Sequence, residues 1–277
     1  KAASRTDCAG STTCTYNEEI QNFANWFSYY RTRIQTAKTT LGLAFSVLTD
    51  KSRVGFATIN DNNNNANTSA ANFVPLSDFD KAQKKTWYAK LYAISPGGGT
   101  PLVAALDRAG KYYQNGKMEG VTKNDPVVLA CTPNYTILST DGYWNGTNPS
   151  AGNYDQKVPT LPAPVYTDPD SGGPVNDPYA GAPLVAGQLF PAPFYEGGTS
   201  FSNTLADVAM KYWITDLRPN SAGKVTANRF DPATWQHMTT YTIGLGASGT
   251  LSSPPTGTTG WPKPVADTPT AIDDLWH

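Results

Sequence analysis

The chain has 277 residues, 39% of them hydrophobic, 12% aromatic and only 16% charged; one α/β domain with insertions can reach that size, two small domains could also share it, and the apolar content is enough for one substantial core. A net charge of −1 gives no global field to draw the protein to nucleic acid or an anionic membrane, and no run of about 18 apolar residues can span a bilayer. Asn, Thr, Ser, Gly and Pro take the place of charge, a mix common in secreted and cell-surface proteins.

The opening Lys1–Arg5 is followed by no apolar stretch and is not a signal peptide. The closing Asp273-Asp274-Leu275-Trp276-His277 reads as cut from a longer chain. Cys8 and Cys14 flank a short flexible loop and are expected to form a disulfide in an exported protein. That leaves Cys131, read as a buried thiol or as an alternative mate for one of the other two. No CxxC pair suggests zinc.

Glu18–Phe27 reads as a strand or the first part of a helix. Tyr29–Leu48 reads as helix, with Tyr30, Ile34, Ala37, Leu41, Ala44, Phe45 and Leu48 at 3–4 residue spacing. Arg53–Ile59 alternates like a strand. Asp61–Asn67 is an Asn-rich hairpin tip, and Asn72–Phe79 a second strand, at an edge because of Pro75. Asp80 caps a helix to Ile94 whose inner face carries Trp87, Leu91 and Ile94. Gly97-Gly98-Gly99-Thr100-Pro101 then leads into a helix over Leu102–Tyr113. Val127–Ala130 and Tyr135–Ser139 are β-favouring, the second followed by Thr140-Asp141-Gly142. Residues 144–199, rich in Pro and Gly, form an insertion loop. Ser202–Leu217 is an amphipathic helix capped by Ser202 or Asn203, Met238–Leu245 a strand, and a short helix starts near Thr270. Alternating strands and helices predict a mostly parallel sheet flanked by helices, with the Gly-Gly-Gly-Thr loop and Thr140-Asp141 at the strands' carboxyl ends, where such sheets bind ligands.

Catalytic arrangements are poor. The two histidines, His237 and His277, sit in no HExxH, and no GxSxG follows a strand. His237 is expected to face solvent or a hydrogen bond. The triple glycine lacks the Gly-Lys-Ser/Thr of a phosphate loop. Asp273 and Asp274 are adjacent, and adjacent helical residues do not face each other, so they read as a solvated first turn rather than a glycosidase pair. The aromatics Tyr143, Trp144, Tyr154, Tyr166, Tyr179, Phe190, Phe194 and Tyr195 read as pins for the insertion or as a binding surface. Arg31, Arg33 and Lys38 are too few for nucleic acid. Thr100 and Asp141 are oxygen donors suited to a hard cation such as Mg²⁺ or Ca²⁺; the plainer reading is that they cap a helix and a turn.

Arg53-Val-Gly-Phe-Ala57, Gly98-Gly-Thr-Pro-Leu102, Leu138-Ser-Thr-Asp-Gly142 and Tyr241-Thr-Ile-Gly-Leu-Gly246 resemble, in order, the segments of a von Willebrand factor A-like (vWA) domain. Asn22–Arg33, Thr140–Asn145 and Asp273–His277 resemble the PilC/PilY family of type IV pilus tip-associated adhesins. The resemblance implies a Rossmann-like vWA fold over residues 1–277 as a single domain, followed in the longer protein by a propeller-like domain. It implies export to the periplasm and cell surface of a Gram-negative bacterium, with minor pilins and a host or surface receptor as partners. It further implies a metal-ion-dependent adhesion site in which Thr100 and Asp141 match two of three parts. The Asp-x-Ser-x-Ser run falls on Ala24–Ser28, where only Ser28 survives, so a degenerate site, empty or weak for Mg²⁺ or Ca²⁺, is expected. The leading function is adhesion and pilus assembly without catalysis; the alternatives are a metal-dependent ligand-binding vWA module and, third, a hydrolase.

Overall fold

The computed structural model describes residues 4–10, 12–60, 73–118, 121–122, 124–155, 201–221, 223–227, 231, 233–255 and 260–277. The fold is mixed α/β. The chain divides into two compact units, Lys1–Phe56 with Asp78–Pro96, and Ala57–Ser77 with Gly97–His277.

The first unit holds helices α1 (Tyr16–Tyr29), α2 (Arg33–Ser46) and α3 (Lys81–Ala93). The single helix expected over Tyr29–Leu48 is instead the end of α1, a break, and α2. The break follows from capping: the Thr32 hydroxyl accepts from Gln35 N–H at 3.3 Å while Gln35 Oε1 accepts from Thr32 N–H at 3.1 Å, a capping box that starts a new helix. Thr15 and Glu18 do the same for α1, which settles that segment as helix. Asp80 caps α3 through Gln83 N–H at 2.8 Å. The core of this unit is Val54, Phe79, Trp87 and Leu91, with Leu41, Phe45 and Ile94 against it. Trp87 is 2% exposed and stacks on Phe45 at 4.8 Å. Its indole N–H donates to the Gly55 carbonyl at 3.1 Å, so the one polar atom of a large apolar ring is satisfied. Cys8 and Cys14 are joined in a disulfide.

Strands β1 (Arg53–Ala57) and β2 (Phe73–Asp78) each cross the boundary between the units in sequence. The second unit adds α4 (Leu102–Asn115), the short strands β3 (Lys117–Met118) and β4 (Val121–Thr122), β5 (Asn134–Thr140), α5 (Leu205–Ile214), β6 (Met238–Gly244) and α6 (Thr270–Trp276). β5 and β6 pair in parallel, Asn134 opposite Met238 through Thr140 opposite Gly244, with α5 in the crossover between them as parallel pairing requires. The period of two sends Leu138 and Met238 into a core with Leu102, Leu106, Val208, Tyr212 and Leu275. It sends Tyr135, Ile137, Tyr241 and Ile243 to the other face, where each is about half exposed. α4 and α5 approach closely because Gly110 has no side chain: a Cβ there would fall on the Tyr212 ring.

Several expectations are corrected here. Val127–Ala130 is not a strand; the Leu129 and Ala130 carbonyls accept from the Gln236 amide instead, the latter at 2.6 Å. Cys131 is free and exposed, not buried. α5 is capped by Thr204, whose hydroxyl accepts from Asp207 N–H at 3.0 Å, rather than by Ser202 or Asn203. Of the two readings of His237 the hydrogen bond holds and solvent does not: it is 1% exposed, with Nδ1 2.7 Å from the Trp235 carbonyl and Nε2 3.0 Å from Asp231 Oδ2. The Asn-rich tip Asp61–Asn67 and the insertion beyond Asp155 lie outside the described residues, as do Tyr166, Tyr179, Phe190, Phe194 and Tyr195.

Candidate functional site

The carboxyl ends of β5 and β6 lie side by side, because Leu245 N–H donates to the Thr140 carbonyl at 2.8 Å. The chain leaves β5 in a tight turn in which the Thr140 hydroxyl accepts from Gly142 N–H at 3.2 Å and donates to the Gly142 carbonyl at 3.0 Å. Asp141 is exposed on that turn. The glycine loop comes to the same rim. Thr100 N–H donates to Asn145 Oδ1 at 2.6 Å, and Asn145 N–H donates back to the Thr100 carbonyl at 2.9 Å. Glycine is needed at 99, where a Cβ would stand 2.6 Å from Asn145 Oδ1, and at 98, where φ is +81°; that region carries little cost only for glycine. The Asn60 amide donates to the Gly97 carbonyl at 2.7 Å and also to the Gly99 carbonyl. Asn145 Nδ2 donates to Asp267 Oδ1 at 3.0 Å, and Asp267 N–H donates to the Trp144 carbonyl at 3.0 Å. Two asparagine side chains therefore hold four segments in register.

Thr100 is thus tied, through Asn145, to the chain that follows the Asp141 turn. Ser28 belongs to the other unit, in the last turn of α1, where its carbonyl accepts from the Gln35 amide at 3.2 Å. The Ala24–Ser28 run does not follow a strand, as the resemblance placed it; it is helical throughout. A hard divalent cation takes six or more oxygens, several of them carboxylate. At the rim, both backbone groups of Thr100 and one oxygen of Asp267 are committed to Asn145. Among the described residues the one trio of His, Cys, Asp or Glu with converging ligand atoms is Cys8, Cys14 and Glu19, whose sulfurs are in the disulfide.

Behind the rim lies a second constellation that sequence reasoning misread. Asp273 and Asp274 are 0% and 3% exposed, not a solvated turn. Asp273 accepts from the Thr250 amide at 2.9 Å, the Thr250 hydroxyl at 2.6 Å and the Leu251 amide at 3.0 Å. Asp274 Oδ2 accepts from Leu205 N–H at 2.9 Å and Trp144 Nε1–H at 3.1 Å, and Oδ1 from Ala206 N–H at 3.2 Å. It thereby satisfies orphan donors at the start of α5. Burial pushes the Asp274 carboxyl up to about 7, against the pull of these donors, with the Asp207 charge adding to the rise. The Leu275 carbonyl accepts from the Thr242 hydroxyl on β6 at 2.9 Å, and the His277 ring stacks on Trp261 at 4.1 Å. Asn60 and Asn145 were not singled out as site residues by chemistry, and Asp274 was weighed with Asp273 as a glycosidase pair and set aside as solvated. Asn145 and Asp274 sit inside the motifs Thr140–Asn145 and Asp273–His277, which carried the resemblance.

The chain is 35% identical over 307 residues to the "Type IV pilus biogenesis factor PilY1" of Pseudomonas aeruginosa strain UCBPP-PA14, covering 97% of this chain and 24% of that protein. Proteins of the same name from strains PAO1 and PAK are each 32% identical, over 94% and 93% of this chain. The chain spans about a quarter of the length of these relatives. No family model matches it and no solved structure does. No helix among the described residues is long and apolar enough to cross a membrane.

Proposed function

The chain belongs to the PilC/PilY family, and from that premise we propose that it is a binding and load-bearing module acting in type IV pilus biogenesis at the cell surface. Its fold reads as vWA-like and its working surface as the rim at the carboxyl ends of β5 and β6. The observation that carries the reading is the reciprocal Thr100–Asn145 pair. It joins the glycine loop to the aspartate turn where an α/β sheet presents its ligands, and it leaves Asp141 exposed beside them. Minor pilins at the pilus tip are the proposed partners, and adhesion to a receptor the proposed consequence. The relatives are named for pilus biogenesis, which supports this direction.

The module acts without catalysis. Its buried carboxylates Asp273 and Asp274 are turned onto backbone and indole donors, which is the work of structural caps. The metal-ion-dependent adhesion site is degenerate in this reading, with Thr100 and Asp141 kept and the Asp-x-Ser-x-Ser run reduced to Ser28. Pull-down of purified minor pilins, with wild type and Asn145→Ala in parallel, tests the surface. Retention by wild type and at least a tenfold loss in the variant is the expected result; equal capture would place the contact elsewhere. Calorimetry with Mg²⁺, Mn²⁺ and Ca²⁺ tests the site. Micromolar binding abolished by Asp141→Ala would replace the degenerate site with a working one and favour a metal-dependent ligand-binding module.

A further inference from the structure

We propose that helix α1 is a dimerisation surface, pairing antiparallel with α1 of a second copy of the chain. Its stripe Tyr16, Ile20, Phe23, Phe27 and Tyr30 recurs at spacings of 4, 3, 4 and 3, the apolar seam of a coiled coil. None of the helix's residues is buried. The five seam residues and Trp26 beside them are between 39% and 78% exposed, whereas a surface helix ordinarily turns its apolar stripe to the core. On side chains of about 150–250 Å² those fractions leave roughly 600 Å² of apolar surface open on one short helix, the upper end of the largest patch on a typical monomer.

The helix cannot turn this stripe inward, because its polar side is fastened to its own chain. Arg5 Nη1 pairs with Glu19 Oε1 at 2.8 Å, the Asn22 amide donates to Asp7 Oδ2 at 2.8 Å, and Ala9 N–H donates to Glu18 Oε1 at 2.7 Å. The Cys8–Cys14 disulfide closes that segment just ahead of the Thr15 cap. At the other end the Thr36 and Thr39 hydroxyls of α2 donate to the Tyr30 and Tyr29 carbonyls at 3.1 and 3.0 Å. A helix already capped and anchored has little order left to lose when it pairs.

Seam, charge and area together favour a second copy as the occupant. A seam of this spacing fits another of the same spacing. A two-fold axis at the level of Asn25 sets Phe23 against Phe27 of the second copy and Ile20 against its Tyr30, with small Ala24 beside the axis. Charge chooses the direction. The first turn carries Glu18 and Glu19, and just past the last turn the Arg31 guanidinium lies over the Phe27 ring at 4.1 Å. An antiparallel pair brings acidic start to basic end and opposes the helix dipoles, where a parallel pair would set like against like. Two such surfaces bury about 1,200 Å² in total, the low end of specific interfaces, so the dimer is a weak one.

Sedimentation velocity of the chain from about 1 to about 200 μM should show monomer giving way to dimer with a dissociation constant on the order of 10 μM. Phe23→Asp places a charge in the seam at an exposed position. It should weaken association at least a hundredfold while the circular dichroism keeps its wild-type form. Wild type that stays monomeric throughout, or a variant that dimerises equally, would overturn the proposal; so would a monomer that sediments with phosphatidylglycerol vesicles, which would make α1 an interfacial helix. Cross-linking keeps the question open to test if Phe23→Asp disturbs the helix. In a Cys131→Ser background, which removes the free exposed thiol, Ile20→Cys and Tyr30→Cys proteins should join to each other on oxidation. Tyr30→Cys joining to itself would refute the antiparallel pair.

Discussion

The Trp144 indole donates to Asp274 Oδ2 at 3.1 Å across 130 residues of sequence. Trp144 is 5% exposed within the core, and the same oxygen takes the Leu205 amide. One carboxyl oxygen thus ties the turn after β5 to the start of α5 through α6. Trp144→Phe keeps most of the apolar contact and deletes this donor. The expected cost is about 1–2 kcal/mol, because a hydrogen bond to a buried group is lost while the acceptor keeps its two amides. Urea unfolding with an unchanged slope checks it; a neutral substitution would show the bond contributes nothing.

Gly110→Ala should be severe for a single methyl. The added carbon meets the Tyr212 ring, and that ring is held by its hydroxyl, which donates to Asp107 Oδ1 at 2.8 Å. Asp107 is in turn paired with Lys111 Nζ at 2.6 Å. The ring cannot swing aside without breaking this chain, so overpacking of about 2–3 kcal/mol is expected. The double variant Gly110→Ala with Tyr212→Leu should lose less than the sum of the two single losses, and additive costs would refute the steric account.

Asn145→Ala removes two bonds that cross the rim, to the Thr100 amide and to Asp267. The loss falls on a partly buried loop amide, so about 1–2 kcal/mol is expected. The more telling readout is hydrogen exchange. The Thr100 amide should exchange at least tenfold faster, while Leu106 in the middle of α4 is unchanged. Uniform acceleration would mean global destabilisation rather than release of the rim.

What the sequence made legible was local. The Asp80 cap, the glycine loop ahead of α4, the β5 and β6 runs and the Thr140-Asp141 turn were readable because capping, periodicity and turn chemistry act within a few residues. The break between α1 and α2 was also written locally, in Thr32-x-x-Gln35, but the apolar stripe running through it hid the signal. Asp273 and Asp274 could not be read in the same way. Their burial depends on Thr250, Leu205 and Trp144, and no local pattern distinguishes a carboxylate that caps a distant helix from one that meets water. Val127–Ala130 fails for the same reason: its carbonyls are satisfied by Gln236, a partner more than a hundred residues on. Ser28 was assigned by counting along a family motif, and counting does not reveal that its surroundings are helical.

Acid should act at Asp231, beside the start of β6. Burial alone would raise the Asp231 carboxyl, but the hydrogen bond and charge of His237, with the Thr239 hydroxyl and Ala233 amide, hold it below the usual carboxylate range. The bonds are short, 3.0 Å to His237 Nε2 and 3.0 Å to Thr239 Oγ1, and the Trp213 indole adds a third side-chain partner at 3.2 Å. A depressed folded value means that the stabilisation is present above the unfolded value of 3.8 and disappears as pH falls through the folded one. Asp231→Asn keeps the shape and removes the titration. Its loss of stability at pH 7, about 1–3 kcal/mol for a charged acceptor of several donors, should shrink as pH is lowered toward 3. Denaturant midpoints between pH 3 and 7 decide the matter: a gap that stays constant over the range would mean that the His237 pair is held by packing between Trp213 and Trp235 and not by charge.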